Sequence, residues 1–122
     1  MKVRLQGDAL RLRLTEPEVA RLAAGEAVKS ETAFGPGATL TVRVHPSDHP
    51  ALAATFEGGV ATVALPRAEV ERWAASDAEA VDGTQDAGSG RALAVSVEKD
   101  YACLHREGAD PGAFPHPARP DA

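Results

Sequence analysis

A chain of 122 residues, 43% hydrophobic but only 4% aromatic, suffices for one domain with a core of Val, Leu and Ala and is too short for two unrelated ones. Its formal net charge of −5 opposes general nucleic-acid binding, which needs an electropositive footprint. No stretch approaches the roughly 20 apolar residues of a membrane span, the opening MKVRLQGD has cations without an apolar run behind them, and a lone cysteine allows no internal disulfide, so a cytoplasmic protein without a membrane partner is expected.

From the start, Val3, Leu5, Leu10, Leu12 and Leu14 alternate with Lys2, Arg4, Arg11 and Arg13, the period of two of half-buried strands. Gly7 and Asp8 form a two-residue turn between them. Facing residues then sum to 15 in number, so that Leu5 meets Leu10, Val3 meets Leu12, and Arg4 is set opposite Arg11 on the other face. Thr15 with Glu18 reads as a capping box opening a helix whose apolar stripe is Val19, Leu22 and Ala23, and Gly25 ends it. AVKSETAF, a turn at Gly35, Pro36 and Gly37, and ATLTVRVH predict a second hairpin, followed by a joint, HPSDHP.

The same series then repeats. Shifted by 51 residues, Val3 to Ala24 lie on Ala54 to Ala75, with Gly7 on Gly58, Leu14 on Leu65, Glu18 on Glu69 and Arg21 on Arg72. After a slip of two residues, Val28 falls on Val81, Gly35 on Gly88 and Gly37 on Gly90. Pro66 opens the second helix, with Val70, Trp73 and Ala74 on its stripe. EAVDGTQD makes a poor strand because Asp and Gly disfavour strands, whereas RALAVSVE makes a good one. The reading is one α+β domain of two internally duplicated strand-strand-helix-strand-strand halves, residues 1–45 and 52–98, packed about a pseudo-twofold axis into one antiparallel barrel or sandwich with two helices. Trp73, Phe34 and Phe56 are expected in its core. The tail 99–122 has no counterpart in the first half, and four prolines leave its end without regular structure.

MKVRLQGDALRLRLTEPEV at the start, VEKDYACL near the end and the closing FPHP resemble a family of small bacterial proteins of unknown function. The resemblance covers most of the chain and implies a bacterial cytoplasmic protein. It carries over no catalytic residue.

Chemistry is sought where the two copies differ. Lys2, Arg4, Arg11 and Arg13 crowd the first hairpin, and the second copy has Ala53, Thr55, Thr62 and Ala64 instead, so the fold does not demand the cations. Like charges facing each other across a strand pair cost roughly 0.2–1 kcal/mol per pair. Either an anion offsets that cost, gripped in bidentate fashion by guanidinium groups, or a neighbouring acidic strand does, around Glu31 or Glu98 and Asp100, or simply water. On this reading, replacing Arg4 and Arg11 together by the second copy's threonines leaves stability unchanged or improved.

Cys103 and His105, at i and i+2 on an extended segment, could bind one Zn, Cu or Ni ion with ligands drawn from His116, His45, His49 or Asp100. Cys103 as a nucleophile with His105 or His116 as base is the enzyme version of the same idea. The alternative is a small buried thiol beside a surface histidine. The glycine-rich stretches precede strands rather than helices, which marks them as turns and not phosphate loops.

The expected function is binding without turnover, with an anionic small molecule or an acidic protein surface recognised at Lys2, Arg4, Arg11 and Arg13. A metal-binding accessory protein comes second and a thiol-dependent enzyme third. The sequence sets no oligomeric state.

Overall fold

The structure, a computed structural model, describes residues 1–101. The elements follow in the order β1 (Lys2–Gln6), β2 (Ala9–Leu14), α1 (Glu16–Ala23), β3 (Val28–Gly35), β4 (Ala38–Ser47), β5 (Ala53–Glu57), β6 (Val60–Pro66), α2 (Arg67–Ala74), β7 (Ala80–Gly88) and β8 (Arg91–Lys99). Strand, strand, helix, strand, strand therefore occurs twice, at the offset of 51 through the helix and about 53 beyond it.

Local chemistry explains each element. In β1–β2 the partners sum to 15 as expected, from Lys2↔Arg13 to Gln6↔Ala9. Gly7 has a positive φ of 56°, whereas the turn of β5–β6 uses two positive-φ glycines, Gly58 and Gly59. A side chain at Gly59 is excluded twice over, since a Cβ there would lie 2.9 Å from the Thr39 carbonyl oxygen. α1 opens on the capping box, with the Glu18 N–H donating to Thr15 Oγ1 at 3.4 Å and the Thr15 N–H donating to Glu18 Oε1 at 2.9 Å. It closes on a Schellman motif: the Gly25 N–H donates to the Leu22 carbonyl and the Glu26 N–H to that of Arg21, both at 2.9 Å. α2 has Ser76 in the place of Gly25; the Ser76 N–H still donates to the Trp73 carbonyl at 3.4 Å, but no counterpart of the Glu26–Arg21 bond follows among the described residues, and this is where the copies slip by two residues.

The halves interlock instead of packing as separate bodies. One sheet runs β1-β2-β8-β7 and the other β3-β4-β6-β5, so each takes one hairpin from each half. Every hairpin is antiparallel, as expected. The seams between halves, β2 with β8 and β4 with β6, are parallel, which makes both sheets mixed; neither closes into a barrel. The twofold relation reaches single bonds, since the Ala94 N–H donates to the Asp8 carbonyl and its counterpart, the Thr41 N–H, donates to the Gly59 carbonyl, each at 2.9 Å.

Leu10, Leu12, Leu14, Val95, Val97 and Val81 from the first sheet meet Val28, Val42, Val44, Val63 and Leu65 from the second, with Val19, Leu22, Val70 and Trp73 from the helices between them. Trp73 is the largest fully buried side chain. Phe34 and Phe56, expected in the core, are instead 75% and 67% exposed. They stand near the turns that end β3 and β5, whereas burial is concentrated toward the helices. Ala23 is likewise exposed at the margin of its stripe.

At one corner the two sheets are joined along their edges. Gln85 of β7 donates from Nε2 to the Ala54 carbonyl at 2.7 Å and accepts from the Ala54 N–H at 2.8 Å, while Leu52 lies against Gly83, where even a methyl would touch its side chain at 3.6 Å. Gln85→Leu is expected to cost about 1–2 kcal/mol, because two part-buried backbone groups of β5 lose their partners. Urea denaturation measures the loss, and hydrogen exchange should show the Ala54 amide losing protection before the rest of β5.

Candidate functional site

Strand register gathers the charged residues on the outer face of the β1-β2-β8-β7 sheet. One row across it reads Arg4, Arg11, Ser96, Asp82 and the next reads Lys2, Arg13, Glu98, Ala80. The expected like-charge pairs are therefore present. What lies beside them is a single carboxylate of β8, Glu98.

Glu98 is the centre of the cluster. Arg11 grips it with two bonds, Nε to Oε2 at 3.0 Å and a terminal nitrogen to Oε1 at 3.1 Å. Arg13 Nε lies 3.5 Å from Oε1, and the Ser96 hydroxyl donates to Oε2 at 2.9 Å. The Arg11 bonds, joined by those of Ser96 and Arg13, hold the Glu98 carboxyl below its ordinary range despite part burial, and the same contact raises Arg11. Lys2 Nζ meets Asp100 at 3.1 Å, and among the described residues Arg4 donates only to the neutral Gln6 side chain, at 3.2 Å. Of the acids named from the sequence, Glu98 and Asp100 are thus the partners. Glu31 belongs to the other sheet, where it pairs with Lys29.

Lys2, Arg4, Arg11 and Arg13 stand against Glu98, Asp100 and, at the far end of the Arg4–Arg11 row, Asp82, which leaves one positive charge in excess on this face. Arg11 and Arg13 keep 39% and 46% of their side-chain surface exposed, and Lys2 73%. Arg11 and Arg13, but neither Lys2 nor Arg4, border a cavity of about 410 Å³ whose other charged lining residues are Lys99, Glu79, Asp82, Glu98 and Asp100. Sequence reasoning missed Ser96 and Asp82, because only the parallel seam of β2 with β8 brings them into the row. The geometry modifies one expectation as well: Arg11 anchors Glu98, so replacing it costs stability, whereas Arg4 is dispensable. Ser96 is not set up as a nucleophile, since a carboxylate held below its ordinary range is a poor base.

Asp8, in the turn of the same hairpin, pairs with Arg91 across the sheet. The bond to that guanidinium holds Asp8 low and Arg91 high. This pair ties the turn to β8 at the end opposite Glu98.

The histidines occupy other places. His45, on β4, donates from Nδ1 to the Pro46 carbonyl at 2.9 Å, and His49 sits in the loop before β5 with Nδ1 at 3.3 Å from the Ala51 amide. Among the described residues no three His, Cys, Asp or Glu side chains come together as a metal-binding group. Cys103, His105 and His116 lie outside the described residues, and with them the rest of the metal and thiol readings. No described helix is long and apolar enough to cross a membrane.

No curated protein and no solved structure is a match to the chain. The landmarks that pointed to a family, the basic hairpin, the capping box and VEKDY at the end of β8, lie within residues 1–118, which match the model of DUF7009, a family of unknown function, and the chain belongs to that family.

Proposed function

We propose that this chain is a small cytoplasmic binding protein, acting without turnover, whose first hairpin recognises carboxylate- or phosphate-bearing ligands, whether a small anion or an acidic protein surface. The concentration of Lys2, Arg4, Arg11 and Arg13 on one hairpin, with Arg11 and Arg13 bordering an open cavity, carries the reading. Glu98 presets the Arg11 guanidinium, so less side-chain freedom is lost when a ligand arrives. Arg4, which has no carboxylate partner among the described residues, and Arg13, 46% exposed and sharing Glu98 with Arg11, supply charge open to a ligand.

The test replaces Arg4→Thr and Arg13→Ala together, the residues of the second half, and leaves the Arg11–Glu98 pair in place. NMR titration of the full chain with inorganic phosphate and with triglutamate should show saturable shifts at β1 and β2 that weaken with added salt. In the variant the affinity is expected to fall at least about tenfold while stability stays within about 0.5 kcal/mol. Equal affinity in the variant, or no binding by the unaltered chain at millimolar probe, overturns the reading.

A further inference from the structure

The two halves differ at the corner where the sheets meet. In a hairpin with a two-residue turn, the closing pair Gln6↔Ala9 exchanges hydrogen bonds, and so do Arg4↔Arg11 and Lys2↔Arg13; Val3 and Leu5 then turn their N–H and C=O groups to the open side of β1. Ala54 is the counterpart of Val3 in the second half, opposite Val63 as Val3 is opposite Leu12. There the outward N–H and C=O are both taken by the side-chain amide of Gln85. The residue in Gln85's place in the first half is Thr32, opposite Leu40 as Gln85 is opposite Leu93. A threonine hydroxyl is shorter than the glutamine amide and cannot offer an amide's separate donor and acceptor atoms. Among the described residues nothing takes the place of that staple on β1.

We infer that the edge of β1 receives an extended peptide from an acidic partner, which adds as a further strand beside Val3 and Leu5. The molecule itself shows what fits at the equivalent place, because the Gln85 side chain is chemically a peptide group presented to a strand edge. Side chains set the rest. On the outer face the added strand would stand beside Lys2 and Arg4, which calls for Asp or Glu at alternate positions; on the inner face it would cover Val3, 39% exposed, and Leu5, 69% exposed, which calls for apolar residues between them. A second copy of β1 would set Lys2 and Arg4 against cations, so self-pairing is disfavoured. The acidic character of the peptide rests on the reading of the hairpin as an anion-recognising face; the strand addition rests on the open edge.

An acetylated hexapeptide of alternating glutamate and valine, titrated into the nitrogen-15-labelled full chain at neutral pH, tests both. The peptide is expected to shift the Val3 and Leu5 amides saturably, to slow their hydrogen exchange about tenfold or more, and to lose at least about tenfold in affinity when its backbone is N-methylated at alternate residues. A lysine–valine peptide should not bind. Shifts confined to the arginine side chains, with Val3 and Leu5 unmoved and the methylated peptide equally good, overturn strand addition but leave the anion reading standing. Failure of triglutamate and the hexapeptide alike sinks both. Protection of the same amides without peptide also overturns the proposal, by showing the edge already covered: by a second copy if sedimentation gives a dimer, by residues 102–122 if it gives a monomer.

Discussion

Trp73→Ala is expected to be the most damaging single truncation in the core, at about 3–5 kcal/mol, which lowers Tm by roughly 15–25 °C in a domain of this size. Trp73 is 1% exposed and is the largest of the fully buried side chains. Its counterpart in α1 is the smaller Leu22, so the pseudo-twofold core is filled unevenly and α2 carries the greater load. The indole N–H is buried without an acceptor among the described residues, and an unmet donor weakens the folded state. Trp73→Phe removes that donor together with part of the ring, and should therefore cost less than half as much as Trp73→Ala. Thermal and urea denaturation of the two variants check the order; equal losses would mean that retained ring volume does not support the core at this position.

Loss of Glu98 should rank next, at about 1–2 kcal/mol near neutral pH. Hydrogen bonds to charged groups are worth about 1.5–3 kcal/mol, reduced here because Arg11 and Arg13 are 39% and 46% exposed. Removal also leaves Arg11 and Arg13 side by side without the carboxylate they share. The sign with pH follows from the depressed pKa of Glu98. Its contribution is fully present above the ordinary glutamate value and is lost as pH falls through the lower folded value, where the folded protein takes up the proton. Glu98→Gln keeps the shape and discards that dependence, so stability measured from neutral pH to about pH 3 should fall less steeply in the variant. Asp8 is held low by Arg91 and keeps its own share of the slope. An unaltered acid slope would show that Glu98 titrates normally.

What was legible in the sequence was whatever depends on neighbours in the chain. The register of β1–β2 followed from a two-residue turn, the start of α1 from a threonine three residues before a glutamate, and the duplication from an offset of 51. What was not legible is set by distant partners. Nothing local says that the second neighbour of β2 is β8 rather than another strand of its own half, and that seam decides that Glu98 and not Glu31 meets the arginines. The weak strand β7 makes the point residue by residue. Gly83 and Gln85, which lower its propensity, are the positions where Leu52 and the edge of β5 make contact, so packing between the sheets outweighs local preference. Phe34 and Phe56 err in the opposite direction: hydrophobicity alone placed them inside, although their distance from the helices leaves them uncovered.

The exchange of hairpins between halves bears on ancestry. A peptide of half this length would own two hairpins and a helix but no complete sheet, and could complete both sheets by clasping an identical copy. Such a pair is bound by its symmetry to repeat every change at both ends. Joined through the segment between β4 and β5, the halves are free to diverge, and the chain carries the marks of that freedom: one hairpin charged and the other without those cations, one corner of the sheets fastened by a glutamine and the other, among the described residues, without that fastening.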